Sequence, residues 1–280
     1  MDSSSGRLGI RRVRVTASVV LWNKDEKPES LVSLFLDSGV VDLVFVVDNS
    51  CGSYSYLSEE FNGSVFYINP GSNLGFGAGH NVAFREAIKL GSRYHFLSNP
   101  DISFDPNILK ELLDFIRSEK EAGIVAPKVF YPDGCLQYTC RLLPSPWQLF
   151  KRRFLGLEGD LLYELRFTGY SKVMRVPFII GCFWLLNMEA VAKVGFFDER
   201  YFLYMEDVDL CRRVFKRSKI VFYPHVAVIH EHRRDSYKNL GALLVHVGSA
   251  IKYFNKWGWF QDREREEINA EILSELGARL

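Results

Sequence analysis

The sequence predicts an α/β protein in which a mostly parallel central sheet is flanked by helices. Three observations support this fold class. Short apolar runs typical of strands alternate with amphipathic patterns typical of helices through the first half of the chain. Several of these runs end in polar turns. The composition, 48% hydrophobic and 25% charged over 280 residues, is that of a globular protein with a large core. Such alternation indicates βαβ units with right-handed crossovers.

In the first half of the chain, the predicted strands are apolar runs bounded by polar residues. The run 43–47 is continuous, as expected for a strand buried on both faces of a parallel sheet. Pro28 suits the first turn of the helix that follows the first strand. The predicted strands are 13–21, 43–47, 65–68, 94–98 and 123–127, and the predicted helices are 28–36, 81–89 and 106–118.

The pattern is weaker in the second half, above all over 141–170. A single strand is predicted over 176–186, and Gly181 inside it indicates a place where another group approaches the backbone. A helix follows the acidic residues near 206, and then a strand over 220–223. The C-terminal 245–260 and 261–280 are predicted to be helical.

Two segments combine aromatic and basic residues, 147–155 and 252–260, and each has two explanations. Both could lie on a membrane surface. The first could equally be a solvated helix face, and the second could pack against the rest of the chain or form a dimer contact.

Charge and cysteine content exclude several classes of protein. The net charge of +1 gives the chain no overall attraction to polyanions, so no nucleic-acid partner is predicted. The five cysteines are an odd number without a Cys-x-x-Cys pair, which argues against a disulfide framework or a structural zinc site. The N-terminal 14 residues lack the apolar core of a secretion signal, and no later run is long enough to span a membrane. A soluble chain in the cytoplasm is the expectation.

The glycine-rich turn at 75–79 resembles a dinucleotide-binding fingerprint only superficially. Its third glycine comes one residue early, and the turn follows the third strand rather than the first, so a Rossmann dehydrogenase is not predicted. Two explanations of the glycines remain. Amides at the start of the following helix could meet a diphosphate, or the glycines could permit close packing of helix and strand.

A polar turn, Asn99-Pro100-Asp101, follows the apolar run 94–98. Because Pro100 cannot donate to a sheet ladder, the strand should end near 98 and leave Asn99 and Asp101 at its carboxyl end. In open α/β sheets that edge is where ligands bind. The alternative is a simple turn, which these three residues also favour.

Glu206, Asp207 and His230 are further candidates for chemistry. The acids precede a helix with basic later turns, which the helix dipole alone could explain. However, the preceding aromatic residues, 196–204, would raise the proton affinity of a carboxylate, as a general base requires. His230 and His232 would lie on one side of a strand, where such a pair binds a metal only if other ligands join it.

Together these motifs resemble family 2 glycosyltransferases of the GT-A fold, and among them the bacterial rhamnosyltransferase branch. The resemblance covers about 13–253 and rests on seven motifs in the family's order. They are Trp22-Asn23, Asp48-Asn49-Ser50, Asn73-Leu74-Gly75-Phe76-Gly77, Asn99-Pro100-Asp101, Gly195-Phe196-Phe197-Asp198-Glu199, Glu206-Asp207 in its aromatic and acidic setting, and Val228-Ile229-His230.

The resemblance implies a nucleotide-sugar site at the ends of the first four strands. Asp48 would contact the base, and Trp22 and Asn23 would line the nucleotide pocket. Asn73, Gly75 and Asn81 would lie near the ribose and diphosphate. The nucleotide-binding positions implied are Trp22, Asn23, Asp48, Asn73, Gly75, Asn81 and Asn99.

The resemblance also implies a metal site and a catalytic base. Asp101 fills the last position of the family's Asp-x-Asp motif, and His230 resembles the histidine that joins it on Mg²⁺ or Mn²⁺. Asp207, with Glu206 before it, resembles the catalytic acid pair in which the second residue is the base. This chain departs from the motif at Asn99, which supplies no negative charge, so its contact with the metal is left open.

The expected function is therefore metal-dependent, inverting transfer of a sugar from a nucleotide diphosphate in cell-surface polysaccharide or O-antigen synthesis. The resemblance favours L-rhamnose from dTDP-rhamnose, and a glycan or polyprenyl-diphosphate-linked glycan as acceptor. A UDP-hexose or galactofuranose transferase and a catalytically idle nucleotide-sugar-binding module are the alternatives. The expected organisation is a GT-A catalytic domain at 1–240 and a helical extension at 241–280, in a cytoplasmic protein with peripheral contact at the inner face of the plasma membrane.

Overall fold

A computed structural model describes residues 14–23, 26–50, 52, 54–154, 160–231 and 240–278. In these residues a twisted central sheet lies between layers of helices, and most neighbouring strands of its first half run parallel. The predicted fold class, with its mostly parallel sheet and C-terminal helices, is confirmed. No helix in the described part of the chain is long and apolar enough to cross a membrane.

The first half forms the predicted βαβ units. Strand β1 is central and pairs in parallel with β2 on one side and β4 on the other, and β3 lies beyond β2. The elements are β1 Val15–Leu21, α1 Pro28–Asp37, β2 Leu43–Asp48, α2 Leu57–Glu60, β3 Val65–Ile68, α3 Phe76–Lys89 and β4 Tyr94–Ser98.

The second half extends the sheet in the order β4-β11-β6-β12-β5. Strand β11 runs antiparallel to both of its neighbours, whereas β6 and β12 are parallel. The elements are β5 Ile102–Phe104, α4 Asn107–Ser118, β6 Ala122–Phe130, β7 Leu136–Gln137, β8 Cys140–Arg141, α5 Pro146–Phe154, β9 Met174–Arg175, β10 Phe178–Ile179, β11 Phe183–Asn187, α6 Met188–Val194, α7 Glu206–Phe215, β12 Lys219–His230, α8 Leu240–Trp257 and α9 Arg263–Glu275.

The predicted single strand at 176–186 is wrong. The segment forms β10 and β11, which belong to different sheets, with a break between them. The break occurs because the Gly181 amide donates to the Asp207 carboxylate, 3.2 Å away, instead of to a neighbouring strand.

Two further elements are longer than predicted. Helix α3 begins at Phe76 rather than at 81, and its first turns contain Gly77 and Gly79, where side chains of neighbouring elements pack closely. Strand β12 continues past Pro224 to His230, and the proline is tolerated at an irregularity in the pairing with β6 between Tyr223 and Ala227.

The helices cover both faces of the sheet. On one face, Phe35 of α1 packs against Phe96 and Phe183 of the sheet. On the other, Phe84 of α3 and Trp184 of β11 share a cluster with residues of α7, α8 and α9. The C-terminal helices therefore bury their apolar side chains in the same core as the helix that carries Asp207.

A buried hydrogen-bonded chain ties α3 to β1 and β4. Ser18 on β1 lies 2.8 Å from Nδ1 of His80 and 2.7 Å from Nε2 of His95, whose Nδ1 contacts Thr16 at 2.7 Å. Burial lowers the pKa of both histidines, to about 3 for His95, so both rings are neutral at pH 7. The chain fixes α3, and with it the glycine-rich turn, against the sheet.

Arg212 of α7 is the polar link to the C-terminal helices. Its side chain is 1% exposed, and its guanidinium donates to both carboxylate oxygens of Asp262 and to Glu264. The guanidinium also lies 4.2 Å from the ring of Trp257. Asp262 in turn accepts from the Arg265 amide at the start of α9, so one buried ion pair joins α7 to this helix.

We expect Arg212→Met to lower the free energy of unfolding by about 3–5 kcal/mol, because it leaves Asp262 buried without its charge partner. Urea denaturation followed by circular dichroism measures this. Arg217→Met is the matched control, because Arg217 lies just beyond α7 and is exposed; it should change stability by no more than about 0.5 kcal/mol. Equal effects of the two substitutions would show that the ion pair does not hold the C-terminal helices.

Candidate active site

The predicted site residues collect at one edge of the central sheet. Trp22 follows β1, Asp48 ends β2, and Asn99 follows β4, all at carboxyl ends of parallel strands. His230 ends β12 and is paired with Ile102 of β5. Because Ile102 directly follows the turn 99–101, this pairing brings His230 to the same turn. Residues from distant parts of the sequence thus meet at the edge where open α/β sheets bind ligands.

Asp101 and His230, predicted as metal ligands, lie next to each other. Oδ1 of Asp101 is 3.3 Å from Nε2 of His230, and Nδ2 of Asn99 is 3.3 Å from the same nitrogen. The Glu231 amide donates to the backbone carbonyl of Asp101 at 3.0 Å, which fixes the turn against the end of β12. Asn99 thus contacts the histidine of the pair, although it supplies no charge.

The donor set fits a divalent cation that shares its coordination with a substrate. Within the described ranges, no group of three or more His, Cys, Asp or Glu side chains is arranged to hold a metal. One carboxylate and one imidazole are too few for a closed protein site. They suit Mg²⁺ or Mn²⁺, which commonly take their remaining ligands from phosphate oxygens and water.

His230 is held in a strongly polar setting. Burial lowers the pKa of its imidazole, but hydrogen bonds with Asp101 and Cys182 outweigh burial and raise the pKa to about 10. Without a cation the ring is therefore positively charged at pH 7 and neutralises Asp101. A bound cation would replace that proton.

Asp207 lies in the first turn of α7, half-buried. Its carboxylate accepts from the Gly181 amide at 3.2 Å and from the Val208 amide at 2.8 Å. Burial raises the pKa of Asp207 to about 6, although backbone hydrogen bonds oppose the shift. A carboxylate with a pKa just below 7 is ionised at pH 7 and still basic enough to accept a proton.

Glu206 has a different environment from Asp207. It is buried, its Oε2 contacts no hydrogen-bond donor among the described residues, and burial together with the Asp207 charge raises its pKa well above the usual value. The two residues before it, Tyr204 and Met205, have left-handed backbone angles, φ 69° and 68°. Strain of this kind persists where surrounding contacts impose it, and it occurs most often at functional sites.

Two adjacent residues, Gly181 and Cys182, connect Asp207 to the turn that carries the candidate metal ligand Asp101. Gly181 donates its amide to Asp207, and the carbonyl of Cys182 accepts from the Asn99 amide at 2.8 Å. A Cβ on Gly181 would lie 3.2 Å from Cβ of Asp207, a tight contact that glycine avoids. The acidic residue of α7 and the turn after β4 are thus held one peptide unit apart.

Asp48, at the end of β2, has both carboxylate oxygens engaged in hydrogen bonds. Oδ1 accepts from the amide and hydroxyl of Ser50, and Oδ2 accepts from the Gly52 amide and, at 2.7 Å, from the Tyr67 hydroxyl. Burial raises the pKa of this carboxyl, but these four hydrogen bonds outweigh burial and lower it overall. Its predicted contact with a base stays a prediction.

Trp22 and Asn23 lie at the same edge of the sheet, directly after β1. The Trp22 side chain is 60% exposed, and the Asn23 carbonyl accepts from the Tyr54 hydroxyl at 2.6 Å. An exposed indole at the end of a central strand suits stacking against a planar ring.

The glycine-rich turn is shaped by close packing. Gly75 has φ +86°, and a Cβ there would lie 2.0 Å from the carbonyl oxygen of Phe202, which accepts from the Phe76 amide. Asn73 accepts from the Gly75 amide, and Asn49 donates to the Gly75 carbonyl at 3.1 Å. These contacts support the packing explanation of the glycines, and a diphosphate contact remains a prediction.

Asn81 is engaged within the protein. It is buried, its amide nitrogen donates to the Phe197 carbonyl and to Glu199, and its amide oxygen accepts from the Phe197 amide. The side chain therefore fastens α3 to the loop before α7, and its predicted place near the ribose and diphosphate stays a prediction.

Two residues at this edge had no signal in the sequence. Gln137 contacts His230 from β7, and Tyr67 binds Asp48 from β3. Tyr67 lies in a predicted strand. Only its position in the alternation of buried and less buried residues along that strand could have suggested that it contacts Asp48. Gln137 lies in the weakly patterned segment. His232, the second histidine of the predicted pair, is outside the described residues.

The chain is similar in sequence to several glycosyltransferases. It is 30% identical over 183 residues to the N-acetylglucosaminyl-diphospho-decaprenol L-rhamnosyltransferase of Mycobacterium tuberculosis, which is 60% of this chain and 59% of that protein. It is 26% identical to the low-salt glycan biosynthesis hexosyltransferase Agl10 of Haloferax volcanii, over 70% of this chain and 59% of that protein. It is 24% identical to rhamnosyltransferase WbbL of Escherichia coli, over 71% and 77%. The chain thus spans about 59% of the length of the first two relatives. No protein-family model matches the chain.

Solved structures share the fold. GalNAc-T7, crystallised with UDP, GalNAc and Mn²⁺, superposes with a TM-score of 0.64 at 14% identity, over 97% of this chain and 52% of that one. TarS 1-349 of S. aureus with UDP-GlcNAc superposes with a TM-score of 0.57 at 15% identity, over 93% and 71%. At this identity the likeness concerns the fold alone. The fold and the sequence relatives together confirm the predicted resemblance: the chain has the GT-A fold and is similar to rhamnosyltransferases.

Proposed function

We propose that this protein transfers L-rhamnose from dTDP-rhamnose to a lipid-linked glycan, with inversion at the anomeric carbon. The observation that carries the proposal is a pair of hydrogen bonds made by adjacent residues. The Gly181 amide donates to Asp207, and the Cys182 carbonyl accepts from Asn99, so that Asp207 is held beside the turn of Asn99 and Asp101. Transfer by direct displacement needs a basic group on the acceptor side and neutralised charge on the leaving-group side. Asp207 and the Asp101–His230 pair supply these two groups from opposite sides of one peptide unit.

Each side chain has a distinct task in the proposed displacement. Asp207 accepts the proton of the acceptor hydroxyl as its oxygen attacks the anomeric carbon. Asp101 and His230 would hold Mg²⁺ or Mn²⁺, which when bound acts as a Lewis acid on the departing diphosphate. Trp22 stacks on the nucleotide base. Asp48 accepts hydrogen bonds from the Ser50 and Gly52 amides and so holds the backbone that faces the base. The bond to the diphosphate breaks as the new glycosidic bond forms on the opposite face.

The choice of donor and acceptor rests on the relatives. The mycobacterial and E. coli proteins are rhamnosyltransferases, and the name of the first specifies an N-acetylglucosaminyl-diphospho-decaprenol acceptor. The haloarchaeal relative is a hexosyltransferase, which supports a UDP-hexose as the second candidate donor. A galactofuranose donor and an idle binding module are the other outcomes of a donor screen.

We expect purified protein to release nucleoside diphosphate slowly from dTDP-rhamnose with Mg²⁺ or Mn²⁺, and not with a chelator. Asp207→Asn should lower turnover about 10²–10⁴-fold while leaving nucleotide affinity unchanged, because only the base is lost. Asp114→Asn is the control, because it makes the same change at an exposed carboxylate of α4. Wild-type turnover in Asp207→Asn removes that residue from the role. Turnover that survives the chelator discards the metal, and silence with all donors leaves a binding module.

Glu206 provides a separate test of the acid pair. A carboxyl whose native pKa is raised keeps a proton that the unfolded chain releases above its ordinary pKa of 4.5. The contribution of Glu206 to the free energy of unfolding therefore falls by about 1.4 kcal/mol per pH unit as the pH rises from 4.5 toward the raised native pKa. We expect Glu206→Gln to remove this fall, so its stability advantage over wild type should grow from about pH 5 to about pH 7.

Urea denaturation at a series of pH values measures the effect. Glu266→Gln, an exposed position of α9, is the control and should leave the pH dependence unchanged. A Glu206→Gln curve parallel to wild type would mean that Glu206 is ionised in the native protein.

We also propose that α8 contacts the membrane that carries the acceptor. Leu244, Val247 and Ile251 are exposed on one side of this helix. On its other side, Ser249 donates to the Leu203 carbonyl at 2.8 Å, and His246 packs on Tyr204 at 4.8 Å between ring centroids. Helix α8 therefore packs on the segment that leads directly into Asp207 and exposes its apolar stripe on the opposite side, so that contact of the stripe with lipid would hold the site near a lipid-linked acceptor.

We expect the protein to float with liposomes of phosphatidylglycerol and phosphatidylcholine. Leu244→Gln combined with Ile251→Gln should lower the bound fraction about tenfold, because two side chains no longer gain from burial in lipid. Ile88→Gln with Leu90→Gln is the matched control, because these residues are similarly exposed at the far end of α3. Equal flotation of both variants, or no flotation of wild type, would contradict this contact.

A further inference from the structure

Gln137 contacts the candidate metal ligand His230 at two points and has no part in the displacement described above. It lies on the short strand β7, which pairs with the end of β6, and its side chain is buried. Its Nε2 is 3.0 Å from the His230 backbone oxygen, and its Oε1 is 3.1 Å from Nδ1 of the His230 ring. One side chain therefore bridges the backbone and the ring of the same residue.

The backbone contact fixes which way the amide of Gln137 faces. A carbonyl oxygen can only accept, so the atom facing the His230 carbonyl must be the NH₂ group. The same NH₂ group also points toward the Phe130 carbonyl, 3.5 Å away. The opposite orientation would place oxygen against two backbone oxygens in a buried site, which is costly. The amide oxygen of Gln137 therefore faces the ring.

An amide oxygen also only accepts, so the hydrogen between it and the ring must belong to Nδ1. On the other side of the ring, Nε2 faces the Asp101 carboxylate and the Asn99 amide. Asp101, Gln137 and Cys182 all contact the ring, and Asp101 is the strongest acceptor among them because it is charged. Without Gln137, a neutral ring would therefore place its single proton on Nε2, against Asp101, and could not use that nitrogen as a ligand.

We propose that Gln137 is a positioning residue that keeps the His230 proton on Nδ1 and so directs the Nε2 electron pair at the divalent cation. This inference rests on the proposed function, because it assigns Asp101 and His230 to the cation. Metal-binding histidines generally donate their second ring N–H to an acceptor, and loss of that acceptor typically weakens metal binding about 10–100-fold.

The test uses the full chain labelled with ¹⁵N at histidine. In wild type we expect an Nδ1–H resonance of His230 that is protected from exchange, both alone and with Mg²⁺ and dTDP. Gln137→Leu leaves Nδ1 without its acceptor, so this resonance should lose its protection from exchange. The variant should also bind Mn²⁺, measured by electron paramagnetic resonance without donor, about 10–100-fold more weakly. Gln148→Leu is the matched control, because Gln148 also bonds a backbone group, the Ser145 amide, but lies away from His230. It should retain both the resonance and the affinity.

Gln137→Glu keeps the inference testable if Gln137→Leu does not fold. In its protonated form, one oxygen of the new carboxyl donates to the His230 carbonyl, as the Gln137 amide does, and the other still accepts from Nδ1, so the resonance should persist. The inference is overturned if wild-type Nδ1 carries no proton with Mg²⁺ and dTDP bound, if Gln137→Glu loses the resonance, or if folded Gln137→Leu binds Mn²⁺ as wild type does. Wild-type protein that shows the resonance alone but binds no Mn²⁺ would overturn the proposed metal site instead, so the two failures are distinguishable.

Discussion

The site depends on one interruption of regular structure, the break between β10 and β11. A continuous strand would have used the amide of Gly181 in a sheet hydrogen bond. Here that amide donates to Asp207, while the Cys182 carbonyl still accepts from the amide of Asn99, the residue opposite it where β11 begins beside β4. The carboxylate of Asp207 and the turn after β4 are thus hydrogen-bonded to two adjacent residues of one backbone segment.

Local environment gives the carboxyl groups of this edge different protonation states. Asp48 is buried, yet four donors around its oxygens lower its pKa. Glu206 is buried without such donors on one oxygen, and its pKa is raised. Asp207, with two backbone amides, lies between these extremes at about 6. Hydrogen-bond donors, and not burial alone, therefore decide which acid is ionised, and they leave Asp207 as the residue suited to exchange a proton near pH 7.

The sequence was sufficient for features set by local pattern and insufficient for those set by distant contacts. Strands β2, β3 and β4 were predicted to within a residue, because each is an apolar run with polar ends. The break at Gly181 could not be predicted as such, because its cause, Asp207, lies far along the chain. Asp101 and His230 were paired only through the family resemblance. Gln137 was missed because a lone polar residue in a weakly patterned segment carries no local signal.

Helix α7 connects the chemistry to the C-terminal helices. Asp207 lies in its first turn, and two turns of buried polar residues follow. Asp209 accepts from the Trp257 indole and pairs with Lys256 of α8, and Arg212 pairs with Asp262 before α9. The orientation of α7, and so the direction of Asp207, therefore depends on residues beyond 240. If α8 also meets the membrane, the helix that holds the base in place is the one that contacts the acceptor's lipid, and substrate presentation and base position are set by the same element.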